Sequence, residues 1–137
     1  MSMPANIDAR RFYRVAFQRL EDGVLLLGLE RPRAAVYLAG YAVECMLKSL
    51  LIAETPTSRR DDLMVSFRGA SAHDIDWLRD MVVRIVGKLP VHVARDLSLV
   101  SSWSTDLRYE PGAGNLDDAT SFLAAAKSIL SWCDRRM

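Results

Sequence analysis

Apolar positions recur at helical rather than strand spacing along nearly the whole chain. Tyr13, Phe17, Leu20, Val24 and Leu27 follow one another at alternating steps of four and three, so they share one face of a helix over about residues 8–29. Gly23 and Gly28 interrupt it, and a glycine there marks a place where another helix comes close. Pro32 suits the first turn of a second helix, because its missing N–H would be unpaired there anyway; the run Ala34–Ala53 continues to Thr55-Pro56. This second helix is apolar nearly all round, and its length raises a membrane span as one reading. Glu44 and Lys48 lie inside it one turn apart and its neighbours are ordinary amphipathic helices, so a central helix is expected, covered by its neighbours and by a second subunit. Ala39 and Gly40 are the small residues at which two such helices would approach, so Ala39→Glu or Gly40→Leu is expected to break a dimer.

Residues 54–70 are polar and read as a connecting loop with a short turn over Leu63–Phe67. Ser71 with Asp74 resembles a capping box, and Ile75, Leu78, Val82 and Ile85 mark the buried stripe of a third helix ending near Gly87. Pro90 opens a fourth, with Val93, Leu97, Val100 and Trp103 inward. The pattern breaks over Leu107–Gly114. Asn115 and Asp118 then cap a last helix whose buried stripe is Phe122, Ala125, Ala126, Ile129 and Cys133, with Arg135 and Arg136 in its final turn as the helix dipole prefers. The expectation is an all-α fold: one domain over residues 1–137, a bundle of four to five helices.

Composition narrows the chemistry. A chain of 137 residues, 50% hydrophobic, can bury about two-thirds of its surface and needs no disulfide or metal to fold. Lys and Arg total 18 against 17 Asp and Glu, interspersed, so no broad field drives binding to duplex nucleic acid and any such contact is local. Cys45 and Cys133 have no partner at metal-ligand spacing and read as buried, reduced thiols. No metal site, cofactor or membrane segment is expected. The first residues lack the apolar core of a secretory signal, so a cytoplasmic location is the expectation.

Phosphate-binding glycine loops, zinc-spaced cysteines and nucleophile elbows are missing from the sequence, which leaves two histidines. His73 reads as an exposed first-turn residue; His92 sits in the first turn of the fourth helix, where the dipole disfavours its protonation. Glu44 and Lys48 are four apart in the favourable order, so they pair with each other or Glu44 reaches Arg108; the plainer role is a satisfied buried ion network. Tyr41, Trp103 and Tyr109 fit either core packing or stacking on a base.

The stretch Ala35-Val36-Tyr37-Leu38-Ala39-Gly40-Tyr41-Ala42-Val43-Glu44-Cys45-Met46-Leu47-Lys48-Ser49-Leu50-Leu51, then Ser71-Ala72-His73-Asp74, then Trp103-Ser104-Thr105-Asp106-Leu107-Arg108-Tyr109, resembles the HEPN domain family over roughly residues 8–135. The resemblance implies a small helical bundle that dimerises, and a place in toxin–antitoxin, defence or RNA-processing systems, in some cases beside a small nucleotidyltransferase. Nuclease members carry an Arg, four to six residues, then a His, paired across the dimer, and cut RNA without a metal. A histidine can move the 2′-hydroxyl proton near neutral pH, and a guanidinium can stabilise the charge that builds on phosphorus. Arg108 stands where the family's Arg would be, and the resemblance implies that it lines a crevice shared by two copies, but Asn115 stands at the histidine's spacing, and an amide cannot act as a general base. A literal match, Arg68 to His73, lies before the third helix; with this many arginines, chance supplies such a match about half the time.

The resemblance therefore implies a non-catalytic, homodimeric HEPN-like module that binds RNA, a nucleotide or a partner protein through Arg108, Tyr109, Asn115, Glu44, Lys48 and His73. Two alternatives stand beside it. One is a metal-independent endoribonuclease or toxin using Arg68 and His73. The other is the helical partner subunit of a nucleotidyltransferase or antitoxin, soluble only in its company.

Overall fold

A computed structural model describes residues 3–137. Among these the chain forms six α-helices: α1 (Ile7–Gly28), α2 (Pro32–Glu54), α3 (Arg60–Ser66), α4 (Ile75–Val86), α5 (Val91–Val100) and α6 (Leu116–Arg136). The helix beyond the expected four to five is α3, formed where the polar stretch after Pro56 leads to expect a loop with one turn. Asp61 and Asp62 favour its first turn electrostatically, and Leu63 is buried on its inner side.

Asn6 starts α1 by accepting from the backbone N–H groups of Asp8 and Ala9 at 2.9 and 3.0 Å. The helix ends in a paired cap: the Glu30 N–H bonds the Leu27 carbonyl at 3.0 Å and the Arg31 N–H bonds that of Leu26 at 2.9 Å. The left-handed residue this cap needs is Glu30, at φ 59°, rather than a glycine. The tight turn folds α2 back along α1: Ser49 Oγ donates to the Ala9 carbonyl at 2.7 Å near one end, and Gly23 lies against Ala35 and Ala39 near the other. Ala9, Ala16, Ala35, Ala39 and Ala42 are all fully buried, so the pair meets through small residues.

The direction of α6 follows from the Tyr13 hydroxyl donating to Asp134 at 2.8 Å and Gly23 touching Leu123: it runs antiparallel to α1 and parallel to α2. The central helix is thus enclosed by its own chain. Ala42–Ile52 is buried without a break, and 78% of the most apolar window of α2 is covered, which is the pattern of a core helix. The accessible surface, 7668 Å², is close to the roughly 7,200 Å² of a compact monomer of this mass. A second subunit is therefore not required to cover α2, and insolubility without a partner does not follow from its composition.

Other expectations shift with the packing. Ala39 and Gly40 are spent inside the chain, Ala39 against α1 and Gly40 against Trp103, so Ala39→Glu and Gly40→Leu would disturb folding before association. On α1 the buried line is Ala9, Ala16, Leu20 and Gly23, while Val24 is 53% exposed. Asp74, not Ser71, caps α4, accepting from Asp76 N at 2.8 Å and Trp77 N at 3.3 Å; Ser71 belongs to the preceding 3₁₀ turn, Ala70–His73. Ile85 faces out at the end of α4. Val93, Leu97 and Val100 are buried as expected, and Trp103 is too, although α5 has ended by then.

Candidate functional site

One face of α2 departs from its apolar surroundings. Arg33, Tyr37, Tyr41, Glu44 and Lys48 follow at steps of four, four, three and four, a stripe of polar heads on the core helix. Other elements deliver the remaining groups onto it.

Near its end the Lys48 ammonium donates to Glu44 Oε2 at 2.8 Å, both side chains 5% exposed. The same ammonium lies 5.7 and 5.4 Å from the ring centres of Phe12 and Phe67, which meet edge to face. Glu44 Oε1 meets His73 Nδ1 at 3.0 Å. An ionised carboxylate only accepts, so Nδ1 carries the hydrogen in neutral His73 and Nε2 is left as an acceptor. The 3₁₀ turn Ala70–His73 places this imidazole, half exposed, at a polar cleft of about 340 Å³ with Asp74, Asp76 and Ser101–Ser104. His73 is therefore more than a surface residue, and Glu44 is committed to Lys48 and His73 rather than to Arg108.

At mid-stripe the Tyr37 and Tyr41 hydroxyls are 3.3 Å apart, and the Trp103 indole packs edge-on to Tyr41 at 4.9 Å while donating to the Tyr37 carbonyl at 3.1 Å. Only Gly40 leaves room for that ring. Burial first, then the hydrogen bond shared with Tyr37, pushes the Tyr41 hydroxyl up to about 12, so it stays neutral at physiological pH.

At the start of the stripe, Arg33 is fixed by the loop before α6: its N–H bonds the Ala113 carbonyl at 2.7 Å and its Nε the Gly112 carbonyl at 3.1 Å. Gly112 and Gly114 take positive φ, 89° and 82°, which lets this loop fold over α2. Arg108 sits on the 3₁₀ turn Thr105–Tyr109, exposed, its guanidinium 4.8 Å from the centre of the Tyr109 ring, itself 73% exposed. Arg33, Tyr37, Leu107 and Arg108 line a cleft of about 280 Å³.

A third cleft, about 320 Å³, joins the other two. It shares Ser102 and Trp103 with the His73 cleft and Arg33 and Leu107 with the Arg108 cleft. The three clefts adjoin along the linker between α5 and α6 and form a row, the groove, with histidine at one end and two guanidinium groups at the other. Tyr37 and Glu44, which mark the two ends, are seven residues apart, about 10 Å along the helix.

Asn115 caps α6, its Oδ1 accepting from Asp118 N at 2.9 Å, and also lines the middle cleft, though not the one that holds Arg108. Other expected site residues lie outside this arrangement. Arg68 is exposed and, among the described residues, makes no hydrogen bond or ion pair with His73 or any other side chain. His92 is exposed and likewise unpartnered among the described residues. Cys45 and Cys133 are buried free thiols, each pushed up to about 12 by burial. Arg33 and Tyr37 join the site unanticipated; their four-residue steps to Tyr41 and Lys48 were the available signal.

The HEPN domain family model matches residues 9–136, nearly the whole chain. The chain belongs to the HEPN domain family, an all-α fold. No curated protein and no solved structure matches it.

Proposed function

We propose that this HEPN domain is a non-catalytic module that binds single-stranded RNA, or a nucleotide, as a homodimer. The observation that carries the reading is the row of adjoining clefts from His73 past Trp103 to Arg33 and Arg108. Guanidinium groups recognise phosphate oxygens in pairs, and the exposed Tyr109 ring beside Arg108 is a stacking surface for a base. The near-balanced net charge makes such binding local and modest rather than a general affinity for polyanions. His73 and Arg108 line separate clefts that share no lining residue.

A second reading rests on the Glu44–His73 contact. A buried carboxylate holding Nδ1 and leaving Nε2 free is how a general base is oriented, so a ribonuclease using His73 is the alternative. One pair of assays separates them. Fluorescence anisotropy with a labelled single-stranded RNA should show binding that weakens about tenfold or more in Arg33→Ala and Arg108→Ala. Incubation of the same RNA in EDTA should leave it intact; cleavage by the wild type that is lost in His73→Ala would replace the first reading with the second. RNA and nucleotide titrations that show no binding would defeat both and favour a partner-protein role.

A further inference from the structure

The middle cleft differs from its neighbours in lining as well as in place. It holds about 320 Å³, close to the lower bound of roughly 300 Å³ for small-ligand sites, and Val36, Trp103, Leu107 and Phe122 give it an apolar floor. Asn115 and Asp118, both exposed, stand on its rim where α6 begins, and Arg33 stands on the side shared with the Arg108 cleft.

Asn115 and Asp118 occupy the two positions of a capping box, but only half of it forms. Asn115 Oδ1 accepts from the Asp118 N–H at 2.9 Å, whereas among the described residues the Asp118 carboxylate makes no hydrogen bond and joins no ion pair. With Oδ1 committed to the cap, the Asn115 Nδ2 amino group is likewise left without a partner among these residues. An apolar slot is thus edged by an unused donor and an unused pair of acceptors.

Those groups discriminate among bases. Along its Watson–Crick edge guanine presents the O6 carbonyl, then N1–H, then the N2 amino group; an amide N–H meets the first, and the two oxygens of one carboxylate meet the others. Uracil fits at O4 and N3–H but turns its O2 on the second carboxylate oxygen. Adenine and cytosine set a ring-nitrogen lone pair against the carboxylate. The same carboxylate disfavours a phosphate beside it, so the base faces α6 and the phosphate lies toward Arg33 and Arg108. Arg33 Nε is held by the Gly112 carbonyl at 3.1 Å, which leaves its terminal nitrogens for that contact.

We propose that the middle cleft is a guanine-selective base site, in which the apolar floor receives the ring, Asn115 Nδ2 donates to O6, and the Asp118 carboxylate accepts from N1–H and the N2 amino group. The inference rests on the RNA or nucleotide binding proposed above and names the base selected.

Fluorescence anisotropy with labelled oligouridylate hexamers carrying one central guanosine, inosine, adenosine or xanthosine tests it, and calorimetry with the same four bases as 5′-monophosphates should give the same order. The wild type should prefer guanine about tenfold or more over the other three, inosine losing only the N2 contact to a charged acceptor. Asp118→Asn should reverse the order in favour of xanthine, whose C2 carbonyl accepts from the new amide; a variant that merely weakened α6 would lose affinity for all bases alike. Asn115→Asp keeps the cap, since either side chain serves there, and should abolish the preference by setting a carboxylate against O6. Equal affinity for all four bases in every format that binds, or a guanine preference that survives Asp118→Asn, would overturn the guanine site and leave RNA binding standing. Failure of every hexamer and every monophosphate to bind would overturn the site together with the reading it rests on.

Discussion

Replacing Gly40 with alanine should unseat a tryptophan. A Cβ at this position would come closer than 3.0 Å to three atoms of the Trp103 ring, Nε1, Cε2 and Cδ1, against the ~3.5–4 Å of ordinary carbon contact. Helix α2 cannot retreat, because its opposite side is packed on α1 through fully buried alanines. The indole must move instead, losing its 3.1 Å bond to the Tyr37 carbonyl, about 1 kcal/mol, and straining or vacating a site where it is 4% exposed, about 1–3 kcal/mol more. Gly40→Ala should therefore destabilise the fold by about 2–4 kcal/mol, although alanine is the better helix former. Trp103→Ala should cost about 3–5 kcal/mol through the cavity it leaves. The double variant should cost no more than Trp103→Ala, because the new methyl group enters vacated space, giving a coupling of about 2 kcal/mol or more. Gly28→Ala, with nothing within 4 Å of its added carbon, serves as the control and should be neutral or slightly stabilising. Urea denaturation followed by far-ultraviolet circular dichroism measures all four. A Gly40→Ala stability within about 0.5 kcal/mol of wild type, or additive costs in the double variant, would refute the close approach.

Two further outcomes follow from the buried charges and thiols. Lys48→Met should destabilise by about 3 kcal/mol by leaving the Glu44 carboxylate without its cation, and Glu44→Gln/Lys48→Met should recover most of that in the same denaturation assay; a double variant as unstable as the single would show that packing, not charge, sets the cost. Cys45 and Cys133 keep their protons in the folded chain up to about pH 12, whereas unfolded thiols release them near 9, so the unfolded state binds fewer protons in between and stability falls as pH rises. The slope should approach about 1.4 kcal/mol per pH unit for each thiol above pH 9, and Cys45→Ala/Cys133→Ala should flatten it; an unchanged slope would contradict that account.

Much of the fold was legible because its signals are local. Prolines, the Asn115 cap and three-four spacing mark the long helices wherever one face is buried against a single layer. Val24 and Ile85 were misplaced because they continue a heptad-like stripe past the point where a neighbour covers it, and periodicity cannot tell where the neighbour ends. The short α3 was hidden by its polar surface, since Leu63 is its one buried residue. For the site, the Glu44–Lys48 pair was readable from helical spacing. The contact of His73 with Glu44 spans twenty-nine residues and depends on a 3₁₀ turn that no local pattern announces. Asn115 shows the converse limit: counting from Arg108 gave it a histidine's place, whereas its backbone neighbours needed it as a helix cap.

Ser49 Oγ donates to the Ala9 carbonyl and lies 3.7 Å from the Met137 sulfur, so α1, α2 and α6 meet at one point, and Arg33 lies sixteen residues back from it, about 24 Å along the axis. A fluorophore attached beside this junction would thus stand far from the guanidinium groups and close to His73, which Glu44 holds five residues away.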